Sequence, residues 1–236
     1  MPQTELERVT KGLRSSRFDT FREAARAAVT LGSDGDQLLA EATAIPGWRG
    51  LYATAALGQS RGPSGEPALR ELIAKRGPGT SDVRSAALLA LAKRTGSAAS
   101  DVLADAVDDK DASVRDYAVT ALAAVGDATA WDTVLARLNT TLGRPRKRQD
   151  QLSTVVLATI YLARHAVEDH ARLGRVAETL RKHWDRLDDQ ERAWLEQYWP
   201  AVHPGLEGQP LLSRPSAEAM LEYILRDPLF SGTALV

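Results

Sequence analysis

The feature that most constrains this chain is that it repeats itself. Asp82-Val83-Arg84-Ser85-Ala86-Ala87-Leu88-Leu89-Ala90-Leu91, ending near Gly96, recurs as Ser113-Val114-Arg115-Asp116-Tyr117-Ala118-Val119-Thr120-Ala121-Leu122, ending at Gly126. The two arginines stand 31 residues apart. The same frame fits Phe21-Arg22 and Trp48-Arg49. In all four copies an apolar residue precedes the arginine, and alanine stands six residues after it: Ala28, Ala55, Ala90, Ala121. Apolar positions at offsets −1, +3, +6 and +7 lie on one face of a helix. A self-similar period near 30 residues is the mark of a repeat architecture, in which each unit is too small to cover its own apolar face.

Weaker copies follow. Arg148 opens a helix running to about His165, and Arg192 lies in Asp188-Asp189-Gln190-Glu191-Arg192-Ala193-Trp194-Leu195. Between the arginine-bearing helices lie others with helical spacing, at 4–13, 35–42, 66–75, 98–107, 129–138 and 167–183. Gly- and Pro-bearing joints such as Gly62-Pro63-Ser64-Gly65 and Gly77-Pro78-Gly79 separate them. The glycines that close the runs are read as C′ stops, where a positive φ is tolerated. The sequence therefore predicts an all-α solenoid of five to six stacked helix pairs over residues 1–199. A proline-bearing segment follows at 200–236, with a short helix. Aromatics make up only 6% of the chain, and an Ala- and Leu-rich core suits helices that pack closely rather than a β-sandwich.

The repeat resembles the HEAT-repeat family, in its short bacterial form. The residues that carry the likeness are Asp111 through Leu122 with Gly126, and Asp82 through Leu91 with Gly96. The likeness implies a right-handed α–α superhelix with the second helix of each pair lining the concave surface. It also implies that Asp82, Arg84, Asp111 and Arg115 belong to a structural ladder between repeats. Some HEAT-like proteins resemble alkylpurine DNA glycosylases, others are bilin lyases. The likeness thus leaves a DNA-holding face along Arg22, Arg49, Arg84, Arg115 and Arg148, or a bilin-lyase-like role, as alternatives to a scaffold.

Little in the sequence points to chemistry. There is no cysteine, which excludes disulfides and thiol nucleophiles. No Gly-x-Ser-x-Gly, P-loop or Gly-x-Gly-x-x-Gly occurs. His165 and His170 are five residues apart, which does not bring two imidazoles to one helix face; a polar corner between helices explains them better than a metal. The acidic group Asp101, Asp105, Asp108, Asp109 and Asp111 lacks calcium-loop spacing and is read as capping and solvation. No catalytic, cofactor or metal residue is expected.

A net charge of −1 argues against a protein that lives by neutralising phosphate. The expected function is a non-catalytic scaffold holding a protein partner on the concave face. Glu23, Arg26, Ser85, Asp116 and Thr120 are read as exposed, mixed-charge contact positions. The basic joint Arg144, Arg146 and Lys147 is added as a possible acidic-partner contact, and Trp131 is assigned to the core. The sequence starts without a signal-peptide pattern, and the apolar run at 155–163 is too short for a bilayer, so a cytoplasmic location is expected. In the C-terminal segment Ser216 is read as the N-cap of an amphipathic helix with Met220, Leu221, Ile224 and Leu225. That helix either caps the last repeat or docks in a partner's groove.

Overall fold

The computed structural model describes residues 3–145, 153–166, 168–206 and 214–226, and among them the structure is helices joined by short turns. Six pairs follow one another: α1 (Gln3–Leu13) with α2 (Phe18–Val29), α3 (Gly32–Ala42) with α4 (Trp48–Leu57), and α5 (Gly65–Ala74) with α6 (Ser81–Thr95). Then come α7 (Ser100–Ala106) with α8 (Ala112–Val125), α9 (Trp131–Leu142) with α10 (Thr154–Arg164), and α11 (His170–Lys182) with α12 (Asp189–Tyr198). A last helix, α13 (Ala217–Leu225), comes after the pairs. Each predicted helix is present, with ends shifted by a few residues.

The pairs stack into two layers. Second helices touch in the order α2, α4, α6, α8, α10, α12, and the first helices α1, α3 and α5, and α9 and α11, line up behind them. This is the helix-pair solenoid expected from the repeat. The repeat alanines permit it. Ala25, Ala28, Ala87, Ala90, Ala118 and Ala121 are all buried, and side chains this small let neighbouring axes approach. The second helices of the later repeats begin at well-made caps. The Asp111 carboxylate accepts from the backbone N–H of Ser113, and Ser153 Oγ from those of Val155 and Val156. Asp188 and Glu191 form a reciprocal capping box.

Two expectations need correction. The frame through Trp48 gives only part of the core face of α4: of its positions Ala56 is buried. Gly50, Ala53, Thr54 and Leu57 are buried, whereas Trp48 is 41% exposed and Tyr52 and Ala55 are half-buried. The helix is rotated because Gly50 allows it to sit against the preceding turn, where a Cβ would lie 2.3 Å from Ile45 O. Nor is every terminal glycine a left-handed stop. Gly96 has φ 60 and ends α6 in that way, but Gly58 has φ −65. Gly58 is demanded by proximity instead: a Cβ there would lie 2.7 Å from both Cα and O of Ala90 on α6.

Of the two readings left open for the C-terminal helix, it folds back on its own chain, although the end of the last pair is covered by the residues before it. The last pair is covered by residues 199–206. Trp199 and Val202 are fully buried, and Arg181 donates to the carbonyls of Ala201 (2.6 Å) and Leu206 (3.3 Å). Beyond them α13 folds back onto the second-helix layer, against α8 and α10. The apolar tail Pro228-Leu229-Phe230 lies outside the described residues. Among the described residues no helix is long and apolar enough to cross a membrane.

Candidate functional site: the second-helix face

The repeat arginines build the frame behind this face. Arg84, 5% exposed, forms a fork-to-fork pair with Asp109: Nη1 lies 3.1 Å from Oδ1, and Nη2 bonds Oδ2. Its Nε donates to Ile73 O at 3.0 Å. The Arg84 guanidinium, bonded directly to the carboxylate, holds Asp109 below its usual 3.8. Arg115 turns back on its own turn, donating to the carbonyls of Asp109 (2.7 Å) and Lys110 (2.9 Å). One link between neighbouring pairs is therefore present, Arg84 to Asp109, and its acid is not one of those the likeness implied. Asp82 is exposed and Asp111 is occupied as an N-cap. A stripe of outward arginines is not what this set provides at Arg84, and Arg148 lies outside the described residues.

A second set of arginines tethers helix ends. Arg94, at the end of α6, donates to Leu57 O (2.8 Å) and Ser60 O (2.6 Å) at the end of α4. Arg164, at the end of α10, donates to the carbonyls of Ala123 (3.0 Å) and Gly126 (3.1 Å) at the end of α8. Each satisfies terminal carbonyls left unpaired by the helix and places positive charge where the helix dipole is negative. Below Arg164 lies a buried polar corner. The Tyr161 hydroxyl donates to Asp127 O, and burial pushes its pKa up to about 12. His165 packs its ring 4.8 Å from that of Tyr161, and burial, aided by the Arg164 charge, lowers its pKa below 6.5. His165 closes α10 while the exposed His170 opens α11, so the two imidazoles belong to a corner between helices. Trp131 is fully buried, its Nε1–H donating to Leu162 O at 3.0 Å.

With the frame so fixed, the outer surface of the second helices has two halves. Over the last repeats it is covered by α13. Met220, Tyr223 and Ile224 are buried. The Tyr223 hydroxyl accepts from Ser153 N–H at 3.0 Å, and its ring stands edge-on to Trp194 of α12 at 5.7 Å. Burial raises the pKa of this phenol. Over the first repeats the face is open, with half-buried Leu51 and Ala55 on α4, Val83 and Ala86 on α6, and Tyr117 on α8. At its edge, where α2 and α4 begin, four rings interlock. Phe18 and Phe21 each meet both Trp48 and Tyr52, with centroids 5.2–6.3 Å apart. Phe21 is fully buried, whereas Phe18 is 50% exposed. The Arg22 guanidinium lies 5.5 Å from the Phe18 ring centre.

A recess of about 270 Å³ lies beside the start of α8, α10 and α12, lined among others by Arg115, Asp116, Arg137, Arg144, Asp188 and Glu191. Its charges are mixed, and its capping acids already occupy the helix N-termini.

The expected contact residues divide. Glu23, Arg26 and Arg144 are exposed, and Asp116 is half-buried on the rim of the recess. Arg146 and Lys147 lie outside the described residues. Ser85 and Thr120 are not exposed: they are buried at 3% and 8%, and Thr120 Oγ1 donates to Asp116 O at 2.9 Å. The offsets +1 and +5 face solvent only on a helix with one buried side. Here α6 is enclosed by α4, α5 and α8, and α8 by α6, α7, α10 and α13. The aromatic edge was missed because the frame assigned Trp48 to the core. The signal available was Phe18, one turn before Phe21, facing a second aromatic pair at Trp48 and Tyr52.

Family comparison agrees with this architecture. The model for HEAT repeats matches residues 50–123 and 78–149. A designed armadillo repeat protein, YIII(Dq)4CqI, is 13% identical with a TM-score of 0.45, over 93% of this chain and 99% of that one. No curated protein sequence matches the chain. Over residues 50–149, the two matches taken together, the chain is similar to HEAT repeats.

Proposed function

We propose that this protein is a non-catalytic scaffold that holds a protein partner on the open half of its second-helix face. One observation carries the reading. The same face, over α8 and α10, already holds an amphipathic helix, the chain's own α13. The open half presents small and apolar half-buried positions, Leu51, Ala55, Val83 and Ala86, bordered by Lys93 and Asp82. A surface of this kind suits a partner's helix laid along it, with affinity from apolar contact and register from the bordering charges. The DNA-holding alternative is weaker, because Arg84 and Arg115 spend their donors on Asp109, Ile73 and Lys110.

The test is affinity capture of the tagged protein from the lysate of its source cell, with and without nuclease, for the wild type and for Ala55→Arg and Ala86→Arg. A near-stoichiometric partner that survives nuclease and is lost from both variants supports the scaffold. Recovery of nucleic acid and nuclease-sensitive proteins alone overturns it in favour of DNA binding.

A further inference from the structure

Among the described residues the large apolar side chains left exposed are Phe18, Trp48, Leu221 and Leu225. They fall on two surfaces with opposite charge. Phe18 and Trp48 form the aromatic edge of α2 and α4, flanked by Arg17, Arg22 and Arg49, with the acid Asp19 beside them, paired to Arg22 at 3.4 Å. Arg22 already lies against Phe18, and Arg49 reaches within 3.5 Å of Ser15 O, so these cations border the rings. Leu221 and Leu225 stand on the outward face of α13 with Glu218 and Glu222, all four exposed. The spacing 218, 221, 222, 225 makes one continuous acidic and aliphatic stripe along the helix.

The inward face of α13 is committed to α8 and α10 through Met220, Tyr223 and Ile224, so its outward stripe is held rigid and presented. It cannot meet the α2–α4 edge of its own molecule while it is held there. We propose that the aromatic, arginine-bordered edge of one molecule receives the outward stripe of α13 from a second copy. Leu221 and Leu225 cover Phe18 and Trp48, while Glu218 faces Arg17 and Arg49; Glu222 and Arg22 would have to share themselves with their own partners, Arg226 and Asp19. The contact joins two different surfaces, so after one contact each molecule keeps its other surface free, and the association is head-to-tail, extending into open chains or closing into a ring. A single-helix contact is a small interface, and its dissociation constant is on the order of 100 µM. This inference does not depend on the scaffold reading, which uses Ala55 and Ala86 on the open face.

The test is sedimentation equilibrium on the full chain, from about 1 µM to about 500 µM. The wild type should grow in mass with concentration, and raising the salt from about 0.05 M to about 0.5 M should weaken association several-fold, since the facing charges are exposed. Trp48→Asp and Leu221→Asp should each be monomeric; circular dichroism and a thermal midpoint check that each is folded, and Phe18→Asp is a second edge variant because Trp48 also packs on the buried Phe21. Mixed together, Trp48→Asp and Leu221→Asp should form a 1:1 dimer that grows no further, because each variant retains the surface that the other has lost. A monomeric wild type across the range, association indifferent to both substitutions, or a mixture that stays monomeric would each overturn the proposal. A wild type that stays monomeric yet captures a foreign protein through Trp48 assigns the edge to that protein instead.

Discussion

Arg94 and Asp36 are 58 residues apart in the chain and form a buried ion pair, Nη2 to Oδ2 at 3.2 Å. The same Asp36 oxygen accepts from Gly65 N–H at 2.7 Å, and the same guanidinium holds the carbonyls of Leu57, Ser60 and Gly62. One side chain thus ties α3, the end of α4 and the start of α5 to the end of α6. Arg94→Met should cost about 3–5 kcal/mol, because it leaves Asp36 charged, fully buried and stripped of its cation. Urea unfolding checks this. Asp36→Asn combined with Arg94→Met should recover part of the loss.

Gly58 and Gly174 make a contrasting pair. An added methyl at Gly58 meets backbone atoms of Ala90, which cannot rotate away, so α4 and α6 must separate. Gly58→Ala should destabilise by about 1–3 kcal/mol. Gly174 lies inside α11 with no atom within 4 Å of an added Cβ. Gly174→Ala should stabilise by about 0.5–1 kcal/mol, through helix propensity and a less flexible unfolded chain. Both are read from thermal or urea midpoints.

The buried corner at His165 sets a pH dependence. Its Nε2 is buried without a hydrogen-bond partner, and its pKa is lowered, first by burial and then by Arg164. The native state therefore resists the proton that the unfolded chain accepts near 6.5. The stability associated with the neutral ring is complete above that value and diminishes as the pH falls below it. The His183 pKa is lowered in the same direction, also mainly by burial. His165→Leu should flatten the decline in urea midpoint between about pH 7 and pH 5.

Asp109 acts in a lower window. Its pKa is held below 3.8 by the bond from Arg84, so its contribution is complete above 3.8 and is lost as the pH falls through the lowered value. Asp109→Asn should remove this acid-range loss while lowering stability at neutral pH, since Arg84 would stay buried without its counter-ion. Acid titrations of Asp109→Asn and the wild type, followed by circular dichroism, check this.

The seating of α13 can be tested by proteolysis. Ile224→Asp should release the helix and speed tryptic cleavage after Arg226, with little effect on α1–α6. Tyr223→Phe, which loses only the hydroxyl bonded to Ser153 N–H, should do so weakly.

The repeat made the helix pairs, their order and the core alanines legible, because each is encoded within a dozen residues. What was not legible depends on residues far apart. Nothing near Asp36 announces Arg94. The acid that meets Arg84 is Asp109, two residues before the one favoured by the repeat pattern, because what the guanidinium reaches is set by the turn inside the next pair, between α7 and α8. Ser85 and Thr120 read as surface positions since an offset count sees one helix, whereas their helices have neighbours on several sides. Trp48 fits the frame letter for letter and still faces outward, because Gly50 changes how α4 rests on the turn before it.

A simple stack of repeats touches only its neighbours and frays from either end. Here α13 rests on α8, five helices back along the chain, and thereby loops the C-terminal repeats into one closed circuit of contacts. Amide exchange should find α8, α10 and α12 opening together, while α1 and α2, with no such return strap, open first and alone.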